Sequence, residues 1–185
     1  MELEIKTRMS NQPHPEEKWI QWVALTAIFL AIAASIISLE ATLYNTKVQL
    51  LASEENSQWA YYQSKSIKEH IFTLNKDLLQ LENLKDQNSQ SRIFLQSKLK
   101  EYDSEIPRYE KEKTNLKNQA ENLLQEEKIA EHHGENFHLA IMFFQVGIML
   151  SSMSVLLKNK ILWLLGILFG VFAFIFVANG FYLFF

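Results

Sequence analysis

The sequence has no cysteine, and its 185 residues include only three prolines and five glycines. The lack of cysteine excludes disulfides, thiolate metal sites and cysteine nucleophiles. The net charge is −3, without the basic excess typical of a nucleic-acid-binding protein, so no nucleic-acid partner is expected. The sequence has no nucleophile motif, no glycine-rich phosphate loop and no carboxylate pair in an apolar setting. It therefore predicts no enzyme activity and no cofactor.

Charged residues are also missing from three long apolar runs. These runs cover residues 19–39, 137–157 and 161–185, and none contains Asp, Glu, Lys or Arg. Because about 20 apolar residues can cross a bilayer as a helix, the sequence predicts three transmembrane helices surrounded by lipid. The absence of ionisable side chains at membrane depth argues against a pump or a secondary transporter.

The polar segment 40–136 lies between the first two runs and has a coiled-coil pattern. Its second half repeats apolar residues at the 3.5-residue spacing of a coiled-coil seam, at Leu95, Leu99, Tyr102, Ile106, Tyr109, Leu116, Ala120, Leu123 and Ala130. Its first half has a matching run at Ile67, Ile71, Leu74, Leu78 and Leu81. Turn-forming residues occupy 86–91. The predicted fold is an all-α membrane protein with a long antiparallel coiled-coil hairpin between the first and second transmembrane helices.

The remaining segments complete this layout. Residues 1–18 form a polar N-terminal segment, and residues 158–160 form a basic loop between the last two spans. Pro107 is expected to kink the second arm, because proline removes a backbone donor. Residues 53–58 are expected to end one helix and begin another, with Ser57 as the N-cap.

Small residues recur at helical spacing in the predicted spans, where they allow close packing between helices. The predicted packing residues are Ala24, Ala27, Ala31, Ala34, Gly147, Ser151, Ser154, Gly166 and Gly170. Counted from the 158–160 loop, Gly147 and Gly170 lie at similar depth, so a close crossing is expected there. Gln145 and Asn179 also match in depth and could form a hydrogen bond.

An aromatic stretch, residues 59–62, stands out in the polar segment. It could pack locally within the hairpin, or contact another copy or another protein, since a two-helix hairpin has little interior of its own. We favour the second interpretation. The predicted arm or partner contacts are Trp59, Tyr61, Tyr62, Leu95, Leu99, Tyr102, Ile106, Tyr109 and Leu116.

Metal-ligand chemistry is concentrated in residues 131–138. On a helix Glu131, Glu135 and His138 would share one face, but Gly134 interrupts the segment. The cluster also lies at the membrane interface, where polar residues are expected. No metal site is predicted.

Basic residues predict the orientation. Lys158 and Lys160 make the short loop basic, and Lys6, Arg8 and Lys18 precede the first span. The positive-inside rule therefore puts the N-terminus and this loop in the cytoplasm. The helical hairpin and the C-terminus would lie outside, in the periplasm of a Gram-negative source.

Two features resemble a known family. One is Gln58-Trp-Ala-Tyr-Tyr-Gln-Ser-Lys-Ser-Ile-Lys68 after the first span, and the other is the final pair of spans with a short basic loop before Ile161-Leu-Trp163. From about Trp19 onward the chain resembles the bacterial membrane proteins grouped as domain of unknown function 4337. The resemblance implies a bacterial source, hence the inner membrane, and three spans, but no activity and no catalytic residue.

The sequence favours a structural or scaffolding membrane protein. It would form a homo-oligomer through its small-residue transmembrane faces and its coiled-coil arms. One alternative is an oligomeric passive channel lined by Gln145, Ser151 and Ser154. Another is an accessory subunit whose arms bind an unidentified protein. The sequence leaves open the copy number and whether the arms pair within one chain or between chains.

Overall fold

A computed structural model describes residues 15–85 and 89–183, and every regular element in these ranges is an α-helix. Helix α1 is Pro15–Lys85, α2 is Ser89–Leu156 and α3 is Lys160–Tyr182. Most of the predicted N-terminal segment and residues 86–88 of the predicted turn lie outside the described residues. Each helix is long and apolar enough to cross a membrane, by length and composition.

The two long helices run without interruption. The expected break at residues 53–58 is wrong, because α1 passes through this stretch as one helix. Ser57 does not cap a new helix. Its hydroxyl instead donates to the carbonyl of Ser53 one turn earlier, at 2.9 Å. Helix α2 likewise continues through Pro107.

Helix α3 has well-defined ends. Asn159 is its N-cap, and its side-chain oxygen accepts a hydrogen bond from the backbone N–H of Ile161 at 2.9 Å. Lys158 before it has a φ of 48°, in the left-handed region, which lets the chain reverse between α2 and α3. Leu183, also at φ 48°, is the C-cap of α3, and its backbone N–H donates a hydrogen bond to the carbonyl of Asn179.

The chain divides into two compact units. The span unit contains the residues up to Thr46 together with those from Ala130 onward, and the arm unit is Lys47–Ile129. The core of the span unit consists of Leu30, Ile37, Ala41, Phe137, Ala140, Phe144 and Ala173. The arm unit buries little apolar surface, chiefly at Leu51, Leu95, Tyr109 and Ala120.

Candidate interaction surface

Small residues bring α2 and α3 into close contact inside the span unit. A Cβ added to Gly147 would lie 2.9 Å from the carbonyl oxygen of Gly166 and 3.6 Å from the backbone nitrogen of Gly170. A Cβ on Gly166 would lie 2.8 Å from Oγ of Ser151. Ser151 and Ser154 are fully buried. These predicted packing residues therefore contact one another within one chain.

The small residues of α1 are placed differently. Gly170 of α3 packs against the side chain of Leu30 rather than against an α1 alanine; a Cβ on it would lie 2.8 Å from Leu30 Cδ2. Along α1, Ala24 and Ala31 are exposed, whereas Ala27 and Ala34 are half-buried. The alanine stripe is therefore only partly covered by the other helices of the chain.

Polar side chains fix the end of α3 to α2. The Nδ1–H of His133 donates to the carbonyl of Gly180 at 2.6 Å. This carbonyl is among the last four of α3, which lack partners within the helix. Asn179 is buried and donates to Oδ1 of Asn136 at 2.8 Å. Gln145, its expected partner, is exposed, so that expectation is wrong.

Two histidines of this region, His133 and His138, contact side chains of α1. Tyr44 stacks on the ring of His133, with centroids 5.0 Å apart. The Nδ2 of Asn45 donates to Nε2 of His138 at 3.0 Å, and His132 lies 3.5 Å from Glu135 on the exposed surface. No group of three or more metal-ligating side chains is present within residues 15–85 and 89–183.

In the arm unit α1 and α2 meet through aromatic and charged side chains. Phe72 of α1 packs between Tyr102 and Tyr109 of α2, with ring centroids 5.1 and 5.4 Å apart. Lys113 pairs with Glu69 at 2.5 Å and also lies over the ring of Tyr62. Further pairs join Lys65 to Glu112 at 2.5 Å and Lys76 to Asp103 at 2.6 Å.

These ion pairs shift two pKa values in the arm. The close contact with Lys65, and then the hydrogen bond from Arg108, lowers the pKa of Glu112. The hydrogen bond to Glu69 raises the pKa of Lys113. Both shifts favour the charged forms, so the pairs support the contact between the two helices at neutral pH.

The predicted arm contacts divide between the interior and the surface. Leu95 and Tyr109 are buried. Leu99, Tyr102, Ile106 and Leu116 are half-buried along the same side of α2. Trp59 and Tyr62 are half-buried on α1 and contact each other edge to face, with centroids 5.5 Å apart. Tyr61 alone among the predicted contacts is exposed.

The predicted seam of α1 lies on the outer surface. The five residues are 49% to 63% exposed, so they do not form the contact with α2 within this chain: Ile67, Ile71, Leu74, Leu78 and Leu81. We call these five residues the outer stripe. The half-buried side of α1 is a second 3.5-residue repeat, here called the inner face, at Tyr62, Lys65, Glu69, Phe72, Lys76, Leu79 and Asn83.

The aliphatic pattern of the sequence does not predict the inner face, because most residues of this face are polar or aromatic. The sequence nevertheless contains this repeat, since from Lys65 to Leu79 it is the outer stripe shifted by two residues toward the N-terminus. A search for aliphatic residues alone finds only the outer stripe.

Comparisons with known proteins identify a family but no activity. The family model described as Domain of unknown function (DUF4337) matches residues 19–183. Among curated proteins none matches this chain. No solved structure matches it either.

Proposed function

Because the chain belongs to the DUF4337 family, whose description assigns no activity, we propose its function from geometry. It is a structural or scaffolding membrane protein that is anchored by three spans and self-associates through its helical arms. The observation that carries this proposal is the outer stripe, an aliphatic heptad exposed on a helix outside the predicted spans.

The arms form an antiparallel coiled-coil hairpin in this proposal. Its support is the order of the contacts: Lys65 and Glu69 of α1 pair with residues 112 and 113 of α2, whereas Lys76 pairs with residue 103. Between Glu69 and Lys76 the partner thus moves back along α2, from Lys113 to Asp103, as α1 advances. The 3.5-residue repeat of α2 supports the same arrangement.

Water supplies the driving force for association at the outer stripe. Apolar surface gains free energy when it leaves water, and an exposed apolar patch on a soluble surface commonly marks an interaction site. In the span unit, by contrast, the predicted packing residues Gly147, Ser151, Ser154, Gly166 and Gly170 are already covered by the same chain. The proposal therefore assigns the contact between copies to the arms rather than to the small-residue spans.

The site of action in this proposal is the bacterial inner membrane. The N-terminus and the loop before α3 would lie in the cytoplasm, and the arms and C-terminus in the periplasm. Support comes from the positive-inside rule and from Lys160, whose Nζ lies 5.9 Å from the ring centroid of Trp19. Aromatic and basic side chains together are typical of a membrane interface.

The two alternatives have less support. Ser151 and Ser154, which would line a passive channel, are buried inside the span unit, so a pore through them would need the helices to repack. An accessory subunit would place an unidentified protein on the outer stripe. Self-association would give a complex of this chain alone, whereas an accessory subunit would be found in a complex with a second polypeptide.

The native mass of the protein in lipid nanodiscs tests the proposal. We expect a multiple of the 21.6 kDa chain, reduced to one chain by Leu78→Glu. Gln80→Glu is the matched control, since it adds the same charge at an exposed position outside the stripe, and it should leave the mass unchanged. A monomeric wild type, a mass insensitive to Leu78→Glu, or a second polypeptide in the complex would overturn the proposal.

A further inference from the structure

We propose that the outer stripe pairs with the same stripe of a second copy in the same membrane, with the two α1 helices parallel and in register. This inference rests on the proposed self-association and adds its direction. It puts Ile71 against Ile71 and Leu78 against Leu78 of the second copy, with Ile67, Leu74 and Leu81 forming the alternate layers.

The residue types of the stripe suit a coiled coil between two copies. The steps from Ile67 to Leu81 are 4, 3, 4 and 3, the spacing of a and d positions in a heptad. In this register Ile71 and Leu78 are at a, and the other three are at d. A parallel pair places each residue opposite itself, so an aliphatic side chain meets an aliphatic side chain in every layer.

The area of the outer stripe approaches that of a standard protein interface. Covering five side chains that are 49% to 63% exposed removes on the order of 500 Å² of apolar surface per copy, and flanking side chains bring this toward the roughly 800 Å² per partner of a standard interface. Confinement in one bilayer also raises the effective concentration of the second copy.

The direction follows from the continuity of α1. The first predicted span and the outer stripe lie on one uninterrupted helix, Pro15–Lys85. Copies inserted into a membrane with the same orientation therefore have α1 helices that run the same way. Such helices meet in parallel, and a two-fold contact of this kind closes on itself.

The polar flanks of the stripe make the direction testable. In a parallel pair, g positions approach the e positions five residues further along the second copy. Gln63 would then approach Lys68 and His70 would approach Asn75, whereas Asp77 would approach Glu82. Only the last pair has like charges. An antiparallel pair would instead bring Lys68 close to Glu82.

Cysteine cross-linking tests the register, because the native chain has no cysteine. In nanodiscs, Leu78→Cys should form a disulfide with itself under mild oxidation, at least about tenfold faster than the exposed control Gln80→Cys, because a position opposite itself meets disulfide geometry. Dimers by mass that fail to cross-link at Leu78, yet cross-link when Leu74→Cys and Leu78→Cys chains are mixed, would overturn the parallel arrangement alone. A monomeric mass with no cross-link would overturn self-association itself.

Charge reversal gives a second, independent readout. Glu82→Lys removes the like-charge pair with Asp77 and should tighten the dimer about fivefold in Kd, the range expected for exposed ion pairs. Glu126→Lys, an equal charge change at an exposed position on α2, should leave the Kd unchanged. A weaker dimer in Glu82→Lys would indicate the antiparallel pair, and no effect would contradict the parallel register.

Discussion

Two helix interfaces in this protein are formed by different kinds of residue. In the span unit α2 and α3 meet through glycine and serine, with the Cβ position of Gly147 only 2.9 Å from a backbone oxygen of α3. In the arm unit α1 and α2 meet through Phe72, tyrosines and ion pairs. There the best aliphatic heptad is on the outer surface.

The difference indicates where copies of the chain can meet. Lipid gives no hydrophobic drive for helix association, so spans pack closely through small residues, and those of α2 and α3 already contact each other within one chain. In water the reverse holds, and exposed aliphatic side chains gain free energy when a second surface covers them. This difference is the basis of our proposal that the span unit packs within one chain and that copies meet through the arm unit.

The largest expected effect comes from filling the glycine contact. Gly166→Leu places a side chain against the backbone carbonyl of Gly147 and Oγ of Ser151, so the helices must separate. We expect a loss of about 3 kcal/mol in the free energy of unfolding, measured by SDS titration. Ala24→Leu, which enlarges an exposed residue of the α1 stripe, is the control and should be nearly neutral. Equal losses would contradict the packing role of Gly166.

Truncating one leucine on each side of the arm unit tests the comparison directly. Leu95 is 6% exposed, so Leu95→Ala should destabilise monomeric protein in dilute detergent by about 2–3 kcal/mol. Leu78→Ala should change the unfolding free energy of the monomer by less than about 0.5 kcal/mol. In nanodiscs Leu78→Ala should instead weaken association. If both variants destabilise the monomer equally, the outer stripe is not a free surface.

Loss of the His133 hydrogen bond should have a smaller effect. His133→Ala leaves the carbonyl of Gly180 without this donor, at a cost of about 1–2 kcal/mol. The change should appear as faster hydrogen exchange in the last turn of α3. His132→Ala, the exposed neighbour, serves as the control and should leave that exchange rate unchanged. A similar effect of both substitutions would argue against the contact.

Acid should weaken the arm unit slightly through Glu112. Its pKa is lowered from 4.5 in the folded arm, so its stabilising contribution is complete above that value and is lost as the pH falls through the lowered pKa. The pKa of Lys113 is raised, so its contribution is complete below 10.5 and is lost only in strong base. Thermal unfolding followed by circular dichroism between pH 2 and 7 should show this decline. Glu112→Gln should flatten it; an unchanged decline would assign it to other groups.

The sequence predicts the α2 side of the arm contact well because its aliphatic residues and its buried positions coincide. Leu95, Leu99 and Ile106 lie on the side of α2 that is covered. On α1 two repeats compete, and periodicity does not tell which of them meets α2. Aromatic contacts of Phe72 and three ion pairs stabilise the contact between the inner face and α2. Rules that search for aliphatic seams do not include such contacts.

In the spans the sequence identifies packing residues but not their partners. A small-residue stripe looks the same whether it contacts its own chain or another copy, so Gly147 and Gly166 could not be assigned from spacing alone. The predicted hydrogen bond between Asn179 and Gln145 rests on their similar depth in the spans, and it is wrong. Depth gives the height of a side chain along the helix but not its angle about the helix axis. Gln145 lies on the exposed side of α2, whereas Asn136 accepts the hydrogen bond from Asn179.

The two-residue shift between the two repeats of α1 has a geometric consequence. At 3.5 residues per turn, two residues correspond to about 200° around the helix, so the inner face and the outer stripe lie on opposite sides of α1. A pair of copies would then align four helices in a flat row, with α1 at the middle and α2 at each edge. The outer side of α2 is mostly polar, so such a row would end at two copies instead of growing into a filament.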